Sequence, residues 1–383
     1  MSADLPDAFE AAKAGLNAWL TTSALPIWWT HGADRAGGGF FELLSQDGDP
    51  VAVDRRARVQ ARQAYSYAVG GRLGWDGPWL EAMTHGLDYF LSRYKLSSGL
   101  FRTRVHADGS AADDAVWLYD QAFALLAMAE AWKAIPSRRA ELAASAHAVI
   151  DALAPRRLPA GGFSEADLAH PCQSNPHMHL LEAALAWSEI DADPVWPWLV
   201  DEIVGLALTR FIDANGALHE FFAADWSLEP GVDGRIVEPG HQFEWAWLLE
   251  RWARLRDRPD ARAAARRLFE IGRTHGVDRA RGVAFDQLLD DFSIHQPKAR
   301  LWPQTERIKA AVILAGSADT PEDKAAYLTE AVAAIAGLKL YLATPTPGLW
   351  RDKMQPDGAF VEEPAPASSF YHIVCAIEQL NAG

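Results

Sequence analysis

A glycine-led aromatic segment returns roughly every 60 residues along this chain, and that recurrence restricts its fold more than any other feature. The six copies read GGGFFEL (37–43), GLFRTRV (99–105), GGFSEAD (161–167), GALHEFF (216–222), GVAFDQLL (282–289) and GLWRDKM (348–354). Glycine ends a helix because it accepts the left-handed backbone at the C-terminus. The short aromatic run that follows suits a small hairpin. A unit that recurs at a fixed period stacks against its own copies, so the chain reads as a repeat architecture.

Helical periodicity fills the intervals with about twelve segments of two kinds. One-sided helices are expected near 4–21, 78–94, 137–153, 194–211, 259–275 and 321–339. In the second of these, Trp79, Met83, Leu87, Phe90 and Tyr94 form one stripe of a helix opened by Pro78. Helices apolar most of the way round are expected near 56–72, 114–133, 174–189, 240–255, 302–316 and 367–380. A helix of that kind is buried on most sides. Six pairs with a uniformly apolar inner member predict an all-α, single-domain (α/α)6 barrel, with short β-hairpins in the outer-to-inner connections. An open helical solenoid is the alternative the same pattern admits. The length of 383 residues alone would point to two or three domains, but no linker or composition break divides residues 1–383.

Composition removes several function classes. A net charge of −15 repels phosphate backbones, so nucleic acid is not an expected partner. The two cysteines, Cys172 and Cys375, make no disulfide framework and fit a reducing cytoplasm. Residues 1–17 carry Asp4, Asp7 and Glu10 and no apolar run, so no signal peptide is read there. No segment reads as a membrane span. Most of the sixteen tryptophans belong to the core, and a few are available to line a sugar pocket. The chain carries no P-loop, G-x-S-x-G elbow, G-x-G-x-x-G fingerprint or H-E-x-x-H pair.

In a closed ring the starts of the inner helices converge on one cavity, and polar residues collect there. In chain order they are Arg55, Arg56, Arg58 and Arg62; Asp113, Asp114, Tyr119 and Asp120; Asn175, His177, His179 and Glu182; His241 and Glu244; Trp302, Glu306 and Lys309; and His372, preceded by the capping candidates Ser368 and Ser369. Polar groups inside apolar helices are costly unless paired or used. His241 and Glu244, three apart, share a helix face, where a carboxylate can orient an imidazole. For such a pair in isolation a satisfied core histidine is the plainer reading, and His179 has the same rival. His177 and His179, two apart, do not share a face and make a poor metal pair. His31, His85, His106, His147, His170, His219, His275 and His295 are read as surface residues of outer helices or connections.

The motifs WLYDQAF, NPHMHLLEA, PGHQFEW, LWPQTE and SSFYH, in this order from about Trp28 to His372, resemble the N-acylglucosamine 2-epimerase family. That family includes cellobiose 2-epimerases, mannose isomerases and a class of mannose-6-phosphate isomerases. The resemblance implies an (α/α)6 barrel and two catalytic histidines, His241 and His372. Arg62 would then stabilise charge, and Glu244 would pair with the first histidine. It places His179, Asn175, Glu182, Tyr119, Trp302 and Glu306 on the sugar; Asp120 and Arg58 are added from their places on the inner helices. PGHQFEW is closer to the isomerase branch than to the epimerases, which resemble G-H-x-I-E-A. The expected chemistry is proton abstraction beside the carbonyl of an open-chain sugar or sugar phosphate through a cis-enediolate, with no metal or redox cofactor. The expected protein is a cytoplasmic monomer or homodimer. Arg55, Arg56, Arg58 and Lys309 are the candidates for a phosphate. A sugar 2-epimerase is the alternative. A glycoside hydrolase using two of Asp120, Glu244 and Glu306 and a non-catalytic sugar-binding protein are more distant ones.

Overall fold

The computed structural model describes residues 4–167 and 169–382. Residues 1–3, the head of the N-terminal segment read above, lie outside them. In chain order the helices are α1 (Asp4–Trp19), α2 (Leu25–Thr30), α3 (Ala57–Arg72), α4 (Trp79–Arg93), α5 (Leu118–Ala134), α6 (Arg139–Leu153), α7 (Ser174–Ser188), α8 (Val195–Leu206), α9 (Pro239–Arg256), α10 (Pro259–His275), α11 (Trp302–Gly316), α12 (Pro321–Leu342) and α13 (Phe370–Ala382). A five-residue wide turn, Leu20–Ala24, joins α1 to α2, and another, Ala207–Phe211, extends α8. These register changes let one long outer helix bend around the layer it covers.

The two predicted kinds of helix become two layers. Along α5 every residue from Asp120 to Ala131 is buried, whereas α10 buries one stripe, including Ala261, Ala265, Leu268, Phe269 and Gly272. Inner helices pack in sequence, α3 on α5, α5 on α7, α7 on α9, α9 on α11 and α11 on α13, and α13 returns to α3. Each of α4, α6, α8, α10 and α12 covers the inner helix that precedes or follows it, and α1 lies against α12 and α13. The layers are keyed by aromatics. Trp187 of α7 stacks on Trp196 of α8 at 5.2 Å, and its indole N–H donates to the Leu125 carbonyl of α5.

The connections pair with their neighbours as well as with themselves. Antiparallel bridges join Arg55–Arg56 to Arg104–Val105, Cys172–Gln173 to Phe221–Phe222, Ile236–Val237 to Leu288–Leu289, and Ala299–Arg300 to Lys353–Met354. The bridge of Leu43–Leu44 to Ala365–Pro366 joins the first connection to the last. Between the second and third, the Glu165 carboxylate accepts the Leu118 and Tyr119 N–H groups at 2.6 and 3.0 Å.

A side chain on each of five inner helices clasps the connection before it. Gln60, Gln121, Gln242 and Gln304 each accept an N–H from, and donate to the carbonyl of, a single residue: Phe40, Phe101, Leu218 and Ala284. His177 does the first half, accepting the Phe163 N–H at 3.0 Å. The backbone runs so close at these points that glycine is needed. A Cβ on Gly39 (φ +68°) would sit 2.6 Å from the Gln60 oxygen, and one on Gly162 (φ +69°) 2.7 Å from His177 Nε2. In the sixth unit Phe370 replaces the amide and stacks on Trp350, which stacks on Trp28.

Three expectations are corrected. The second inner helix begins at Leu118, not Asp114, because Ala111–Asp113 extends to pair with Arg104–Val105. His219 is buried, its ring bonded to the Gly234 carbonyl and Asp213. Helix α12, with 22 residues, is long and apolar enough to cross a membrane by length and composition. Its packing on both α11 and α1 explains that apolarity as a buried surface.

Candidate active site

The inner helices open on a cavity of about 260 Å³. Its wall holds Arg62, Tyr119, Asn175, His179, His241, Glu244, Trp302 and His372 of the residues expected there. All eight lie in the first two turns of their helices, which is why one end of the ring collects them.

The helices share a register. The residues two places after the clasps are Arg62, Phe123, His179, Glu244 and Glu306, and the matching residue of α13, two after Phe370, is His372. One clasp geometry repeated round the ring therefore aims six side chains at the axis.

Each of the two expected catalytic histidines has a carboxylate close to Nδ1. His372 Nδ1 lies 2.8 Å from Glu306 Oε1. His241 Nδ1 lies 2.7 Å from Glu220 Oε1 and 3.6 Å from Glu238 Oε2. Trp302 packs against both imidazoles, with ring centroids 4.9 Å from His241 and 5.8 Å from His372. The electrostatics of the two differ. Burial disfavours a charged His241, but Glu220 and Glu238 outweigh it and raise its pKa to about 9. Burial, reinforced by the Arg62 and Lys309 cations, pushes His372 well below the usual imidazole range. At neutral pH one imidazole is charged and the other neutral.

Glu244 does not partner His241. Its neighbours are Lys309 at 3.7 Å and His179 at 3.9 Å, and burial beside Glu306 lifts its pKa to about 8. It faces the cavity with the Lys309 ammonium beside it. Below it Lys309 Nζ is buried 2.6 Å from Glu306 Oε2 and 3.8 Å above the Trp247 ring. His179 is kept neutral by burial, its pKa near 3, and Glu182 beneath it is held down at about 2 against burial by His179 and Lys309. Tyr371 donates to Glu182. Arg62 donates to the Tyr119 hydroxyl at 2.5 Å and the Ser368 carbonyl at 3.0 Å, its guanidinium 4.1 Å from the Phe123 ring centroid.

Four expected sugar contacts stand behind the wall. Glu182 and Glu306 support histidines, and Asp120 is buried against Arg58 at 3.0 Å. Of the three carboxylates considered for glycoside hydrolysis, only Glu244 reaches the cavity. The phosphate candidates are also committed: Arg55 to Asp34, Arg56 to Glu42, Arg58 to Asp120 and Lys309 to Glu306. Ser369 does not cap α13 but donates to Asp352 at 2.7 Å. Two triads, His179–Glu182–Glu244 and Glu244–Glu306–His372, bring donor atoms within 4.8 Å of one another, a spacing that suits a metal. The Lys309 ammonium already supplies positive charge to both carboxylates of the second.

The wall also holds Ser368 and Ser369 and, beyond the residues the motifs singled out, Gln173, Glu220, Phe221, Glu238, Arg300 and Asp352. The signal for several was in the repeat. Two residues after the clasped position, the connections carry Glu42, Thr103, Glu165, Glu220, Asp286 and Asp352. Five of the six are acids, and each turns to the start of an inner helix or to a basic group there.

The family model for N-acylglucosamine 2-epimerase (GlcNAc 2-epimerase) matches residues 39–376. A protein of Rhizobium meliloti (strain 1021) named mannose-6-phosphate isomerase is 50% identical over 371 residues, 96% of each chain. Among solved structures, a cellobiose 2-epimerase from Bacillus thermoamylovorans B4167 superposes with a TM-score of 0.86 at 16% identity, over 98% of this chain and 100% of that one. A D-mannose isomerase superposes with a TM-score of 0.85 at 20% identity, over 98% of each. The chain belongs to the N-acylglucosamine 2-epimerase family and is an isomerase.

Proposed function

We propose that the chain is a single-domain (α/α)6 barrel that interconverts an aldose and its ketose, acting on a mannose-type hexose. The observation that carries this reading is one cavity wall with two histidines in opposite protonation states. Titratable groups whose surroundings drive them apart divide naturally into acid and base. His372, neutral, takes the proton from C2 of the open-chain aldose. His241, as imidazolium, gives a proton to O1, so that the developing cis-enediolate is trapped as the enediol. His241 then takes the proton from O2, and His372 returns its proton to C1, giving the ketose and restoring both histidines. Arg62 stands where a donor would stabilise the negative charge that develops on the sugar oxygens, commonly a large term in such catalysis. Glu306 and Lys309 hold His372 in place. Buried, unpaired cysteines fit a reducing cytoplasm.

The name of the 50% identical relative favours an isomerase over a 2-epimerase and points to mannose 6-phosphate. The cavity favours the free hexose. Of its two arginines, Arg300 is paired with Asp286 and Glu238, so a phosphate dianion there would have to displace a carboxylate, and Arg62 is engaged by the Tyr119 hydroxyl and the Ser368 carbonyl. The test is NMR of mannose, mannose 6-phosphate, glucose and N-acetylglucosamine with the protein in D₂O. Deuterium at C1 of a ketose, with the higher kcat/KM on mannose, is the expected result. Deuterium at C2 of an epimeric aldose would make it an epimerase, and a preference for mannose 6-phosphate would overturn the substrate assignment.

A further inference from the structure

Glu220 is buried and contributed by the connection after α8, not by the helix that carries His241. Its two oxygens have separate tasks. Oε2 accepts the Ser174 hydroxyl of α7 at 3.2 Å, and Oε1 faces His241 Nδ1 at 2.7 Å. The bridge of Phe221–Phe222 to Cys172–Gln173 fixes the backbone just beyond it, and the clasp of Gln242 on Leu218 fixes it two residues before. The carboxylate is thus anchored independently of the imidazole it faces. Glu238, the other acid near Nδ1, is farther away at 3.6 Å and is shared with Gln287 at 3.0 Å and Arg300 at 3.5 Å.

We propose that Glu220 is the positioning residue of the proton-transfer centre, fixing a proton on Nδ1 of His241 so that Nε2 presents its N–H to the sugar. This rests on the isomerase reading given above. Glu220 need not touch the sugar, because it acts through His241. The other groups around His241 are Glu238 just before its helix, Glu244 on it, Arg300 through Glu238, the Trp302 ring, and His372 across the cavity. None of these approaches Nδ1 as closely as Glu220. An opposite charge at such range favours the charged form by about 1–3 pH units, so neutralising Glu220 should release His241 by that amount.

The test uses Glu220→Gln, Glu220→Asp and Glu238→Gln in the full chain, with kcat/KM followed against pH and the His241 ring nitrogens followed by ¹⁵N NMR. Glu220→Gln is expected to move the basic limb, and the His241 titration with it, to lower pH by about 1–3 units. Glu220→Asp should restore most of the shift, and Glu238→Gln should move it less than Glu220→Gln. The NMR titration separates His241 from Glu244, the other cavity group that titrates in that range. A folded Glu220→Gln protein whose His241 titration is unmoved would overturn the proposal. If Glu220→Gln fails to fold, a Glu238→Gln shift as large as the one expected of Glu220→Gln would overturn it. Should the wild type turn over none of the four sugars, the isomerase reading fails, while the NMR titration still decides the role of Glu220.

Discussion

At the residue scale, the two histidines account for the pH behaviour expected of the enzyme. His372 must be neutral to accept a proton, and its burial beside Arg62 and Lys309 places the acid limb well below 6.5. His241 must be charged to donate one, and its raised pKa places its loss of activity near pH 9. The profile of kcat/KM should therefore be flat through neutrality and fall as pH rises through about 9; a fall on acidification beginning near 6.5 would contradict the account of His372. Lys309 presents a different prediction. It balances Glu244 and Glu306 in the protein interior, so Lys309→Met leaves uncompensated buried carboxylates and should cost about 3–5 kcal/mol in urea unfolding. If that ammonium is the resident cation, exhaustive chelation should leave turnover unchanged, and a loss restored by a divalent metal would reassign the triads. Sequence reasoning located both histidines and Arg62 but gave His241 the wrong partner. Glu244 shares its helix face at three residues' distance, whereas Glu220 arrives from another element, and spacing along one helix carries no information about that.

Elements were the most legible scale. The alternation of one-sided and all-round apolar helices appears in the structure as α4, α6, α8, α10 and α12 outside and α3, α5, α7, α9, α11 and α13 inside. Ends were less legible, as at α5, because a strand of three residues is decided by its partner and not by its own pattern. The clasps were hidden for a related reason: a glutamine at a helix start reads as a surface residue until the backbone beneath it is seen. Each clasp satisfies one buried N–H and one buried carbonyl, and an unsatisfied group of that kind costs about 1–3 kcal/mol. Gln121→Leu should lower unfolding free energy by about 2–4 kcal/mol while leaving the cavity residues in place. A change under about 0.5 kcal/mol would show that water replaces the amide and that the clasp contributes little. Trp187→Ala, which empties the contact among α5, α7 and α8, should cost about 3–5 kcal/mol.

At the scale of the whole molecule, the question left open by periodicity was whether six units close or merely stack. The packing of α13 on α3 and the bridge from Leu43–Leu44 to Ala365–Pro366 join the ends, and the Trp28–Trp350–Phe370 stack fills the seam where a clasp is missing. An open stack frays from its terminal units. Amide exchange at Leu44 should therefore be as slow as at Leu288, in the interior of the series; exchange several orders faster at the seam would mean that the ends part readily. Closure bears on function because His372 is carried by the last inner helix and Arg62 by the first.

The most direct measurement is turnover of mannose by His241→Asn, His372→Asn and the double variant, each checked for native fold by circular dichroism. Acid and base working on one substrate act as a unit, so each single variant should lose about 10²–10⁴-fold in kcat, and the double should lose little more than the worse single. Wild-type turnover by either single variant would contradict the claim that the two histidines share one sugar.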